Sequence, residues 1–122
     1  MERGIIDGIR LFNAGHYFEA HEALEAVWLK ATGDRKRFLH GLIQVAAAFH
    51  HHARGNRAGY LSLIEKGSEK LESFGAEFEG IDLAALRRQL QSWRDHLNAS
   101  SLPAPPAPPL PQIKFTGKPE ND

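Results

Sequence analysis

Between Tyr17 and Leu29, in YFEAHEALEAVWL, apolar residues recur every three or four positions, and a histidine and a glutamate fall inside that pattern. A helix advances roughly 100° per residue, so Tyr17, His21, Leu24 and Trp28 share one face with Ala20 and Val27. Glu25 follows His21 by one turn within the same stripe, with Phe18 and Leu29 on its flank, while Glu22 sits at the edge and Glu19 points away. An ionised carboxylate in an apolar face is costly unless something pairs with it. The stretch therefore predicts a helix that buries a His21–Glu25 pair against a neighbour offering polar company.

The rest of the chain reads as helices of the same kind. Ile5, Ile6, Ile9, Leu11 and Phe12 make a short amphipathic helix ending near Asn13-Ala14-Gly15, where Gly15 supplies the left-handed cap. The second helix runs from about His16 to Lys30, and Ala31-Thr32-Gly33-Asp34 breaks it, with Asp34 as N-cap of the third. The third, from about Arg35 to Arg54, is apolar around most of its circumference and should be the buried centre of a bundle. One stripe on it differs: His40, Gly41, Gln44, Ala47, Ala48 and His51, with His52 at its margin. Two helices joined by a short loop pack antiparallel, so this stripe can meet the one carrying His21 and Glu25.

A fourth helix after Asn56 turns Tyr60, Ile64, Gly67, Leu71 and Phe74 inward, with Gly67 allowing close packing. Gly75 to Gly80 forms a loop, and a fifth helix begins at Ile81-Asp82 with Leu83, Leu86, Leu90, Trp93 and Leu97 as its core face. The fold class is all-α: a bundle of five helices in antiparallel hairpins, occupying residues 1–100, followed by a Pro-rich extended arm over 101–122. The two leading hairpins look alike, but two such units fall below the three that a self-standing repeat array needs. Within the arm, the prolines of LPAPPAPPLP lack amide donors and exclude helix or central strand. Leu110, Ile113 and Phe115 then suggest an arm laid across the bundle, with Ile113 and Phe115 in surface grooves.

Composition narrows the function classes. A chain of 122 residues can bury a real core without staples. It has no cysteine, which removes disulfides, thiolate metal sites and cysteine nucleophiles and suits a cytoplasmic location. Fifteen basic and fifteen acidic residues cancel, so no charge excess draws the molecule to nucleic acid or membrane. The one basic cluster, Arg35-Lys36-Arg37, reads as a solvated first turn rather than a phosphate-binding patch. No apolar run approaches the roughly 20 residues of a membrane span. Apolar residues in need of cover, such as Phe78 and Phe115, point to a homodimer or a protein or peptide partner.

The segments FNAGHYFEAHEALEAVW (Phe12–Trp28) and FLHGLIQVAAAFHHHARGN (Phe38–Asn56) together resemble the domain-of-unknown-function 309 family, whose hallmark is His, three residues, Glu, two residues, then Trp or Tyr. Here those are His21, Glu25 and Trp28. The resemblance covers roughly the first 75 residues and implies an all-helical bundle and a metal-binding role for the motif. It brings no substrate or reaction with it.

Two expectations compete for this site. In the first, His21 and Glu25 ligate a divalent metal ion, because residues four apart on a helix can share one ion. His51 of the facing helix is then the third ligand, with His50 or His52 as alternates, Gln44 and Trp28 around them, and Glu22 as a further carboxylate or general base. An open coordination position would activate water for hydrolysis. The second histidine of a His-Glu-x-x-His signature is missing, since His21-Glu22 leads to Glu25. In the second expectation, His21, Glu25 and Gln44 form a buried hydrogen-bonded network that fixes helix register in a non-enzymatic interaction module. A pair facing an open cavity favours the first, and a pair buried beneath an apolar groove favours the second.

Overall fold

In the computed structural model, residues 2–98 and 106–117 are described, and they form five helices and one short hairpin. The helices are α1 (Arg3–Asn13), α2 (Tyr17–Trp28), α3 (Gly33–Ala53), α4 (Arg57–Glu72) and α5 (Leu83–Asn98). Strands β1 (Glu77–Phe78) and β2 (Ile81–Asp82) pair antiparallel between α4 and α5. Each helix of the α1–α4 run packs on the next, and α5 closes the bundle. No helix among the described residues is long and apolar enough to cross a membrane.

The breaks between helices follow from local chemistry. Gly15 adopts φ +84° after α1, a left-handed conformation that a side chain would resist. Asn56 caps α4, its Oδ1 accepting from the Gly59 amide at 3.0 Å, and Asp82 caps α5 by accepting from the Ala85 amide at 2.9 Å. At α3 the expectation fails. Thr32, not Asp34, occupies the N-cap, and it makes no side-chain capping bond. Gly33 takes φ +61° and enters the helix two residues earlier than the hydrophobic pattern does, which leaves Asp34 in the first turn, favourably placed for the helix dipole. The loop expected at Gly75–Gly80 is instead the hairpin. Glu79 and Gly80 both have positive φ, the two-residue turn whose twist matches paired strands.

The core is one cluster joined by aromatic rings. Phe49 of α3 is fully buried and meets Phe12, Tyr17, Tyr60 and Trp93 at ring-centroid distances of 6.4, 5.7, 5.6 and 5.3 Å. One side chain thus touches a ring from each of the other four helices. A second cluster sets Phe78 against Phe38 at 4.7 Å and Phe74 at 4.9 Å. Phe78 therefore needs no second chain to cover it. Among the described residues, Phe18, Leu29, Leu110 and Phe115 are the large apolar side chains left exposed.

The described part of the arm is packed onto the bundle. Residues 99–105, which include Ser100, Ser101 and the start of the proline run, and residues 118–122 lie outside the described residues. Ile113 is 2% exposed and joins the core, whereas Phe115, expected in a groove, is 46% exposed and bridges Ile81 only through its backbone. Side chains two apart in a regular strand share a face, so strand alternation does not separate the two. Phe115 stands where the arm bridges Ile81, just before the bend at Thr116 and Gly117, and its ring is left outside. Asn13 fastens the arm. Its Nδ2 donates to the Ile113 carbonyl at 2.9 Å and its Oδ1 accepts from the Ile113 amide at 2.7 Å. Gln89 clasps the Gln112 backbone in the same way, at 2.9 and 2.8 Å, and the Trp93 indole donates to the Pro109 carbonyl at 3.0 Å. Asn13→Ala removes the partners of both part-buried backbone polar groups of Ile113 and is expected to cost about 1–3 kcal/mol. The check is a urea melt together with limited proteolysis, in which cleavage around 112–116 should quicken before the bundle itself is cut.

Candidate functional site

The register of α2 against α3 builds the site. The helices run antiparallel, so Phe18 lies by His50, at 5.4 Å between ring centroids, and Trp28 by His40, at 5.7 Å. The buried residues of α2 are Tyr17, Ala20, Leu24 and Val27. Their mean direction places His21 and Trp28 at the margin of the stripe and Glu25 about 120° from its centre. The expected buried pair is corrected accordingly. The Glu25 side chain is 49% exposed and the His21 side chain 29% exposed. Their closest approach, His21 Nε2 to Glu25 Oε2, is 3.8 Å, a charge contact too long for a hydrogen bond. Such half-exposed pairs contribute little to stability.

Between α2, α3 and α4 lies an open cleft of about 230 Å³, lined by His21, Glu25 and Trp28, by His40, Ile43, Gln44 and Ala47, and by Leu63. Gln44 forms its floor. It is 9% exposed, and its Oε1 has no hydrogen-bond partner among the described residues. The buried Nδ1 of His21 also lacks one. A satisfied His21–Glu25–Gln44 network would show these atoms bonded to one another, and no such bonds form. His40 is held below the ordinary histidine pKa, first by burial and then by the charge of Lys70, so its ring is neutral at pH 7.

His51 stands apart from the His21–Glu25 contact. Its Nδ1 is 3.0 Å from Asn56 Nδ2, which ties it to the α3–α4 turn, and the Asn56 amide is the donor there. It shares a smaller hollow with Phe18, His21, Ala47 and His50. His52 turns to the other side, against Tyr60 and Trp93, each 5.0 Å away between ring centroids. Glu22 is exposed and does not line the cleft. His96 packs edge-on to Trp93 at 6.0 Å. Among the described residues, no group of three His, Asp or Glu side chains lies close enough to hold a metal ion. His21 and Glu25 supply two donors, where a tetrahedral catalytic zinc site takes three from the protein.

The small-residue stripe of α3 is also reassigned in part. Gly41 approaches α4, not α2, since a Cβ there would meet Leu71 side-chain atoms at 3.0 and 3.1 Å. His40, Ile43 and Leu63 were absent from the expected site. The spacing of His40, one turn before Gln44 on one stripe, is a signal that could have nominated it. Nothing local marks Leu63.

Residues 5–63 match the family described as Domain of unknown function (DUF309). The N-terminal half of this chain is thus similar to the DUF309 family. That DUF309 match takes in α1 to α3 and the first turns of α4, and so includes every residue that lines the cleft. The chain is also similar to two bacterial relatives. One is the uncharacterized protein YpuF of Bacillus subtilis (strain 168), 34% identical over 81% of this chain. The other is an uncharacterized protein of Aquifex aeolicus (strain VF5), 31% identical over 66% of this chain. The matches span 59% and 24% of those relatives' own lengths.

Proposed function

We propose that the α2–α3–α4 cleft is a binding site for a small polar organic molecule, with Gln44 reading the ligand from the floor and His21 and Glu25 meeting it at the rim. The observation that carries this is the Gln44 amide oxygen, buried in a wall of the cleft without a partner. Leaving such a group unpaired costs about 1–3 kcal/mol, and nothing in the packing around it returns that cost. A ligand with an N–H or O–H donor does. Trp28, Ile43 and Leu63 supply apolar walls, and a few convergent polar groups on such walls are the ordinary make-up of a small-molecule site. A half-exposed His21–Glu25 pair supports this reading over a register-fixing network, and a donor set of two supports it over a metal centre with hydrolytic chemistry.

The site reading and the network reading predict opposite signs for one substitution. Gln44→Leu removes the unpartnered amide and is expected to raise stability by about 1–2 kcal/mol in a urea melt. Under a structural network, the same change strips partners from buried groups and lowers stability. Glu25→Ala should shift stability by no more than about 0.5 kcal/mol. A thermal-shift screen of small metabolites completes the test, with compounds that raise the melting point of the native chain expected to lose their effect on Gln44→Leu. Shifts that persist undiminished in that variant place the binding elsewhere and end the proposal.

A further inference from the structure

A second hollow adjoins the cleft at Trp28 and His40. It is shallower, of about 360 Å³, and continues along α3 to the start of that helix, lined further by Gly33, Lys36, Arg37 and Lys70. The cleft alone is smaller than the ~300–1,000 Å³ of most organic-molecule sites, and the two adjoining hollows together reach that range. Its two ends differ in chemistry. The inner end carries the unpartnered Gln44 oxygen, with His21 and Glu25 beside it. The outer end carries three cations drawn from two helices, and among the described residues none of Lys36, Arg37 and Lys70 has an ion-pair partner within 4.0 Å. Arg35, next along the chain, does find partners in Glu2 and Glu79, so the other three are left facing the hollow together.

Resting on the binding-site reading above, we infer that the ligand is a small organic phosphate of the nucleoside monophosphate class, its phosphate held by Lys36, Arg37 and Lys70 and its base edge reaching Gln44. Clustered Lys and Arg side chains are the ordinary recognition groups for phosphate. Glu25 lies on the Gln44 side of Trp28 and repels an anion there, which fixes the orientation. Trp28 and His40 stand at the junction with ring centroids 5.7 Å apart, an aromatic wall of the sort on which a planar base lies. Lys36 and Gln44 are separated by two turns of α3, about 12 Å along its axis, a span that a nucleoside monophosphate covers. The Lys36 ammonium already sits 4.5 Å from the Trp28 ring centroid, so charge and aromatic surface are brought together before any ligand arrives.

The experiment is isothermal titration of the full chain with adenosine 5′-monophosphate and uridine 5′-monophosphate, each beside its unphosphorylated nucleoside, and with inorganic phosphate. At least one monophosphate is expected to bind, and its nucleoside to bind about tenfold or more weakly. Lys70→Ala and Arg37→Ala, whose folding is checked by circular dichroism, are expected to weaken the monophosphate by a similar factor, while Lys70→Arg restores most of it. Inorganic phosphate should compete, and its own binding should be unchanged in Gln44→Leu, which separates the two ends. A nucleoside that binds as tightly as its monophosphate, or unaltered affinity in both charge variants, overturns the phosphate assignment and leaves the Gln44 site standing. Failure of both monophosphates to bind overturns it as well. Monophosphate binding that ignores Gln44→Leu defeats the reading on which it rests.

Discussion

Phe49→Ala is expected to remove about 3–5 kcal/mol of stability, the largest loss that any single truncation should cause here. The magnitude follows from position as much as from size. Phe49 is fully buried in α3 and touches Phe12, Tyr17, Tyr60 and Trp93, so the cavity left behind is walled by rings from α1, α2, α4 and α5. Large rings anchored on four different helices cannot all move into the space, and the cavity persists. A domain of this size is stable by roughly 5–15 kcal/mol, so the loss consumes a large part of the total. Urea unfolding should show a much lower midpoint with an unchanged slope, and Phe49→Leu should cost distinctly less. A cost below about 1 kcal/mol for the alanine variant means that the helices are not held together at this point.

The second large effect comes from adding atoms. Gly67→Val is expected to destabilise by about 2–3 kcal/mol and Gly67→Ala by about 1–2 kcal/mol. Helix propensity argues the other way, since alanine is better than glycine in a helix interior by about 1 kcal/mol. Packing decides. A Cβ at Gly67 would lie 2.8 Å from Val45 Cγ2, 3.0 Å from the Gly41 carbonyl oxygen and 3.1 Å from the Val45 amide nitrogen. Two of those atoms are backbone, and Val45 is β-branched with one strongly favoured helical rotamer, so relief requires α4 to move away from α3. Gly41→Ala is the control, because its Cβ would meet only side-chain atoms, of Leu71 and Lys70, at 3.0–3.3 Å. It should cost less than Gly67→Ala in the same urea melts. Equal stability of Gly67→Ala and the native chain shows that α3 and α4 can part without loss.

Particular residues show how far the sequence could be read. The stripe of α4 with Gly67 inside it announced a close approach, and the helix starts read at Asn56 and at Ile81-Asp82 are where side-chain caps stand. The His21–Glu25 pair was read as buried because helical periodicity gives an angle but not the axis on which the core sits. A shift of some tens of degrees in that axis moves Glu25 from the stripe to the rim. The basic cluster reads as a solvated first turn, and Arg37 is indeed exposed. Arg35 does pair at the surface, whereas Lys36 and Arg37 acquire their setting only when Lys70 arrives from another helix.

The sequence by itself determined the helices, most of their ends and which residues are apolar enough to be inside, because these depend on interactions within a turn or two of chain. Tertiary structure alone decided that Gly41 faces α4, that Leu63 and Lys70 reach the groove beside α2, that Ile113 and not Phe115 enters the core, and that Gln44 is buried without a partner. Those facts depend on how rigid helices settle against one another, and rotations and offsets between helices are fixed by the summed packing of many side chains that no local spacing encodes.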